Sequence, residues 1–293
     1  MSLQINDRLL WLGGKRKALT LSYDDGISQD KRLLELLNKY GVKCTFNLNS
    51  GLLGIKGTVS AEKKEVPHNK VEKSETALLY RGHEIACHGR YHESLAGMDR
   101  ARCVWEILAD RQALEEITGQ PLTGYAYAFG VCDDNIIMAL KNCGIAYART
   151  IESTHRFDIP SDFLKWNPTC HHDDEKLFAL TGEFLSDDMY FSLYSPAKLF
   201  YVWGHSYEFD QNENWEHIEK FVKQISGRED VFYATNREIY QYVTAYRRLV
   251  FSTDSTLVYN PSCISVWLGG AFTKEIAEVK PGQTLRLPEP VNM

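Results

Sequence analysis

The sequence predicts an α/β fold, a distorted (β/α) barrel of about seven strands over residues 1–248 with a small C-terminal β appendage over 249–293. Three observations predict it. Short apolar runs of strand type alternate with amphipathic runs of helical period from Lys17 to about Arg248. Strands separated by helices need crossover connections, so the sheet is parallel, and this many units suits a closed or nearly closed barrel better than a small open sheet. After Leu249 the pattern changes to short β runs between turn signals, Asn260-Pro261-Ser262, Gly269-Gly270 and Pro281-Gly282.

Lys17–Ser22 (KALTLS) reads as a buried strand, and a helix follows from about Asp30 to Tyr40 and stops at Gly41. Lys43–Asn47 is the next strand. A helix around Lys73–Tyr80, punctuated by Gly82, leads into strand His83–Cys87. Arg100–Thr118 is the clearest helix: Asp99 can cap it, and Val104, Ile107, Leu108, the Arg111 stem, Leu114 and Ile117 share a face. Gly119 and Pro121 close it. Then come strand Tyr125–Phe129, helix Asn135–Asn142, strands Ile145–Ala148 and Leu199–Trp203, helix Glu213–Ile225, strand Val231–Ala234 and helix Arg237–Arg248. Gly51–Ser74 interrupts the rhythm. It is polar and Lys-rich and reads as a surface insertion, either a lid or a plain loop.

Composition narrows the function. The 293 residues are 44% hydrophobic and 25% charged, an ordinary globular profile with a sizeable core. Lys and Arg total 33 against 39 Asp and Glu, a formal net charge of −6 with no dense basic stripe. Nucleic acid and anionic membrane are therefore poor partners, and a small molecule or oligosaccharide is the expected one. Nothing in the sequence fixes an oligomeric state. The seven cysteines are scattered without a CxxC pair, as in a reduced compartment, and most read as small buried residues. Met1–Gln4 has no basic stretch before an apolar run, and no 18-residue apolar stretch occurs, so the expected location is cytoplasmic.

In an α/β barrel reactive side chains collect where strands end. Strand Lys17–Ser22 ends in Tyr23-Asp24-Asp25-Gly26, and His83–Cys87 ends in His88-Gly89-Arg90-Tyr91-His92. Tyr125–Phe129 ends in Gly130, and Leu199–Trp203 ends in Gly204-His205-Ser206-Tyr207. Each motif alone has a bland reading: turn chemistry for Asp-Asp-Gly, a helix face for two histidines four apart, a hydrogen-bonded structural residue for one histidine. Together they put two carboxylates and three imidazoles at one end of the barrel. Two imidazoles and one carboxylate make a catalytic zinc set with a position left for water or substrate. Such an ion polarises an amide carbonyl and acidifies water; the spare Asp can take a proton, and a histidine across the cleft can give one. Gly89 at the Glu position excludes an HExxH protease helix.

These motifs resemble a known family. Ser22-Tyr-Asp-Asp-Gly26 resembles the first motif of the NodB-type polysaccharide deacetylases (carbohydrate esterase family 4), His88-Gly-Arg-Tyr-His92 their second and Trp203-Gly-His205 their last. Order and spacing match from about residue 17 to 245. The resemblance implies Asp24 as general base, Asp25, His88 and His92 as metal ligands, and His205 as general acid. It implies a divalent ion, with zinc suited to the ligands and cobalt, nickel or iron also accepted by them. The implied reaction is N-deacetylation of an amino sugar or short oligosaccharide. Hydrolysis of a ureide, formamide or acylated amine, and a catalytically inactive metal- or sugar-binding protein, are the alternatives.

The family's third motif, Arg-x-Pro-x-Gly, is here Ala126-Tyr127-Ala128-Phe129-Gly130, without the Arg or the Pro. The backbone near Phe129 can still serve an oxyanion, and Arg149, at the end of strand Ile145–Ala148, is by position a substitute for the missing Arg, with a surface salt bridge as its plain alternative. Gly89 replaces a small polar residue after the first histidine. The fourth motif, whose Asp tunes the acid histidine, has only Asp162 with Trp166 as a loose match. Tyr127, Trp203 and Tyr207, with Tyr91, border the motifs and could stack on a sugar ring, although aromatics beside strands are core residues by default. His171 and His172 could reach the mouth of the site, with solvation the commoner fate of a loop pair. His68, His83, His155 and His217 read as structural or surface residues.

Overall fold

The computed structural model describes residues 9–60, 63–186, 197–269 and 276–287. At its centre is a parallel sheet of β1 (Lys17–Asp24), β2 (Thr45–Leu48), β3 (Glu84–Cys87), β4 (Gly124–Ala126), β5 (Tyr147–Arg149), β6 (Cys170–His171), β7 (Lys198–Gly204) and β8 (Val231–Tyr233). Seven of these form one path, β5-β4-β3-β2-β1-β7-β6, and β8 pairs with β1 beside it. The register explains the geometry. β7 runs along β1 from Lys198 opposite Lys17 to Gly204 opposite Tyr23. The other edge of β1 is shared: β8 takes Lys17–Leu19 and β2 takes Ser22–Asp24. Segment 166–171 draws the two ends of the path together, because Trp166 bridges Arg149 while Cys170 and His171 pair with Val202 and Trp203. The result is the distorted (β/α) barrel that the sequence predicts.

Crossovers are helical: α1 (Asp30–Tyr40), α2 (Lys73–Leu79), α3 (Arg100–Thr118), α4 (Asp134–Asn142), α5 (Leu177–Leu185), α6 (Glu208–Gln211), α7 (Trp215–Ile225) and α8 (Asn236–Arg247). α1 and α7 bury one stripe each, Leu33, Leu34 and Leu37 on the first and Ile218, Phe221, Val222 and Ile225 on the second. Each such side chain contributes about 1.5–3 kcal/mol when fully buried. Among the described residues no helix is long and apolar enough to cross a membrane. All seven cysteines are free, and five are buried.

Two expectations change. The buried face of α3 is only partly the apolar stripe: Ile107 and Leu114 are buried as expected, but Leu108 is 44% exposed, whereas Glu106 and Asp110 are buried. Those carboxylates accept backbone N–H groups of the loops after β2 and β3, which outweighs the apolar rule. The third-motif strand is also shorter than its apolar run. It ends at Ala126 and tightens into a 3-10 turn over Ala128–Gly130, with Phe129 at φ 59°. β6, α5, α6 and a hairpin pairing Thr58–Val59 with Val66–Pro67 are additional. A two-residue strand or a one-turn helix is too short to show a period.

Beyond Leu249, Val250–Phe251, Leu257–Tyr259 and Thr284–Arg286 form one antiparallel sheet. Val266–Gly269 pairs with Ile276–Val279, and Leu9–Leu10, ahead of the barrel, adds a strand on the other edge. Both sheets pack on α8, where Tyr242 donates to Leu10 O at 2.6 Å and accepts from Trp267 N at 3.0 Å.

Candidate active site

The site lies at the C-terminal ends of β1, β3 and β7. Asp24 closes β1, and the chain then turns through Asp25 at φ 83°, whose N–H donates to Asn47 O at 2.9 Å. An aspartate tolerates this left-handed backbone better than a branched or bulky residue. The turn lets the two adjacent carboxylates engage different partners. Asp24 Oδ1 accepts from Asn47 Nδ2 at 2.7 Å, and its Oδ2 accepts from Arg149 Nη2. His88 Nε2 and His205 Nε2 lie 3.7 and 4.0 Å from that same Oδ2. Asp25 Oδ1 accepts from Lys70 Nζ at 3.1 Å, and its Oδ2 is 3.1 Å from His68 Nε2.

β3 delivers His88, whose backbone N–H lies between Leu48 O at 3.0 Å and Asp110 Oδ2 at 3.1 Å. Its Nδ1 is 2.8 Å from Ala126 O. A carbonyl only accepts, so Nδ1 carries the ring proton and Nε2 presents a lone pair. That Nε2 is buried and has no hydrogen-bond partner. Gly89, at φ 79°, turns the chain after it where a Cβ would sit 3.1 Å from Tyr125 Oη. His92, at φ 56°, brings its Nε2 to 3.8 Å from Asp25 Oδ1. One ligand atom each from Asp25, His88 and His92 lies within 4.8 Å of the other two. The arrangement is a two-imidazole, one-carboxylate cradle of the kind that suits a divalent ion.

Arg149 is 1% exposed, with its guanidinium 4.2 Å above the Trp203 ring centroid. Burial alone would raise the pKa of Asp24. Arg149 foremost, then His88 and His205, outweigh burial and hold that carboxyl below its usual range. On the opposite wall, burial opposes charge on His205. Glu208 and then the Asp25 and Asp24 carboxylates prevail and push its pKa up to about 9. At neutral pH the cleft therefore sets a charged carboxylate against a protonated imidazole.

Residues 13–148 match the family model for polysaccharide deacetylase. The first half of the barrel is similar to a polysaccharide deacetylase domain. No curated protein sequence matches the chain. Among solved structures, one described as a polysaccharide deacetylase from Mycobacterium smegmatis shares the fold, with TM-score 0.58 and 18% identity over 82% of this chain and 94% of that one. A family 4 acetyl xylan esterase from Clostridium thermocellum, in complex with a cobalt ion, matches with TM-score 0.49 and 16% identity over 76% of this chain and 90% of its own. The Streptococcus pyogenes deacetylase PplD, in complex with acetate, matches with TM-score 0.39 and 18% identity over 45% of this chain. The chain spans about half of PplD, 55% of its length.

In the barrel Asp24, Asp25, His88, His92, Arg149 and His205 converge on one cleft. Phe129 stands at its rim, 61% exposed and edge-on to His92 at 4.8 Å. Tyr207 lies against His205 and His68, each at 5.2 Å. Tyr127 and Trp203 are not stacking platforms. Tyr127 is buried with its hydroxyl donated to Leu164 O at 2.8 Å, and the face of Trp203 is taken by Arg149. His171 and His172 are not solvated loop residues, because β6 places them against β7; His172 is fully buried and stacks on Phe209 at 4.3 Å. Asp162 is not the partner of His205: it accepts from Leu164 N at 2.8 Å, and Trp166 is buried among Tyr147, Phe163 and Tyr201.

Four residues at or near the site are not assigned to it by the sequence. His68, there a structural or surface residue, reaches Asp25 from the 51–74 insertion. So does buried Lys70, which also donates to Asp25 O at 2.9 Å and Asn49 Oδ1 at 3.2 Å. No local pattern signals either. Asp110 hides on a polar-looking helix position. Glu208 had a signal: it follows His205 by three residues, a spacing that returns a side chain to the preceding turn.

Proposed function

We propose that this domain hydrolyses a C–N amide bond, removing the acetyl group from an amino sugar or short oligosaccharide. The observation that carries the reading is the facing of Asp24 Oδ2 and His205 Nε2, 4.0 Å apart, beside the Asp25/His88/His92 cradle. Asp25, His88 and His92 would hold a divalent ion. The orphaned Nε2 of His88 fits one, since its tautomer leaves a buried lone pair aimed at the cradle. Zinc suits these ligands, and cobalt, nickel or iron would enter the same set. Bound there, the ion supplies Lewis acidity toward an amide carbonyl and toward water.

The remaining chemistry belongs to side chains. Asp24, charged and held by Arg149 and Asn47, accepts a proton from the attacking water. His205, protonated at neutral pH, donates to the departing nitrogen as the C–N bond breaks, which yields acetate and a free amine. A backbone N–H beside Phe129 would receive the developing oxyanion. Phe129 and Tyr207 offer apolar surface at the rim for a sugar face.

Acetate release from N-acetylglucosamine oligomers tests the proposal, with formamides and ureides as competing substrates. Parent protein should release acetate, and Asp24→Asn and His205→Asn should each lose about 10²–10⁴ of the rate. Turnover of the non-sugar amides alone would move the assignment to that class. No turnover of any of them would leave binding without catalysis.

A further inference from the structure

Glu208 is the first residue of α6, three after His205, and one of its oxygens gathers an unusual set of neighbours. Glu208 Oε2 accepts from the His205 backbone N–H at 2.9 Å and lies 3.4 Å from His205 Nδ1. The Glu208 N–H donates back to His205 O at 3.2 Å. The same Oε2 is 3.1 Å from His171 Nε2 and 3.3 Å from His172 Nε2. The backbone of His205 is thus hydrogen-bonded to that carboxylate, and its ring Nδ1, which has no other partner among the described residues, lies in ion-pair range of it. With Nδ1 turned to Glu208, its Nε2 is left facing Asp24.

The protonation of His171 follows from a neighbour. Its Nδ1 lies 3.1 Å from Asp173 N, an N–H that can only donate, so Nδ1 is the acceptor and the ring proton sits on Nε2. Nε2–H therefore donates to Glu208. This separates the cluster from the cradle across the cleft. A cation between His171, His172 and Glu208 would need that Nε2 as a lone pair, whereas His88 already presents one. His172 adds bulk: it is clamped between Tyr23 and Phe209, and a Cβ on Gly204 would fall 2.0 Å from its Nδ1.

We propose that Glu208, braced by His171, is the positioning residue that fixes the His205 ring with Nδ1 toward the carboxylate and Nε2 toward Asp24. This rests on His205 acting as proton donor. It assigns the carboxylate that the fourth motif would otherwise provide to a residue three positions after the histidine itself. The charged and titratable groups around His205 are Glu208, Asp24, Asp25, His171, His172 and Tyr207. Glu208 is the carboxylate nearest its Nδ1.

The test reads the ring directly, by nitrogen-15 NMR of His205 at pH 8 in parent, Glu208→Gln and Glu208→Asp. The parent ring should be mostly imidazolium, the Glu208→Gln ring mostly neutral, and Glu208→Asp should recover part of the charge. If Glu208→Gln does not fold, His171→Asn carries the same test with a smaller loss of charge in the same direction. On a substrate that the parent turns over, Glu208→Gln should lower kcat by about 100-fold with KM within about twofold. An inactive parent with the expected ring states would overturn the hydrolase reading and leave the positioning intact. An unchanged His205 ring in Glu208→Gln would overturn the positioning. So would a second divalent ion per chain that His171→Asn removes.

Discussion

Arg149 presses its guanidinium against the Asp24 carboxylate while Trp203 covers its face at 4.2 Å, so two strands far apart in sequence hold one charge in place. Both partners are nearly fully buried, and a lone buried charge is costly. Arg149→Met should therefore destabilise the fold by about 3–5 kcal/mol in urea unfolding. Arg149→Lys should recover part of that stability but not the rate, because an ammonium lacks the planar fork and the stacking surface. Equal recovery of both by lysine would reduce the arginine to a point charge.

The pH profile carries a sign. The folded-state pKa of His205 is raised from 6.5 to about 9, so the ring is charged below that value. As proton donor it should support kcat/KM up to about pH 9 and lose it above, giving an alkaline limb near 9. Its contribution to stability runs the same way, complete below the ordinary histidine range and lost as pH rises through about 9. A kcat/KM profile flat from pH 7 to 10 would contradict the role of His205.

Lys70 compensates Asp25 from inside the insertion, donating to its Oδ1 at 3.1 Å and its backbone O at 2.9 Å, and to Asn49 Oδ1 at 3.2 Å. Lys70→Met strands the Asp25 carboxylate and should cost the metal-free protein about 1–3 kcal/mol. Saturating zinc should shrink that loss, since an ion in the cradle supplies the missing positive charge. Thermal unfolding with and without zinc checks both. A loss independent of zinc would separate Lys70 from the cradle.

Asp110 fixes the backbone beneath the cradle by accepting from Ser50 N at 2.8 Å and His88 N at 3.1 Å. An amide in its place can accept only one of these. Asp110→Asn should weaken zinc affinity about 10- to 100-fold, as loss of outer supports does, without touching a ligand. Titration of metal-free protein with zinc measures it. Unchanged affinity would make Asp110 a purely structural residue.

The barrel was legible because its signals are long. Runs such as Lys17–Ser22 and the period of Trp215–Ile225 declare their elements before any partner is known. The positions of Asp24, Asp25, His88, His92 and His205 were legible because strand ends in such a barrel share one face. Lys70 and His68 were not, since a loop side chain acquires its neighbours only when the insertion folds back across Asp25. The α3 carboxylates misled for a related reason: Asp110 is buried by the backbone it serves, a demand that hydrophobic pattern does not encode. Phe129 was legible as a site residue but the turn it sits in was not, because a left-handed aromatic, held at a cost of about 1–3 kcal/mol, contradicts local preference and is imposed by its surroundings.

Bound metal is the most direct test of the central claim, measured by elemental analysis of the parent and of His88→Ala after incubation with zinc and exhaustive dialysis. Close to one divalent ion per parent chain and almost none in the variant are expected. A parent that retains no ion, or a variant that retains as much as the parent, would contradict the claim.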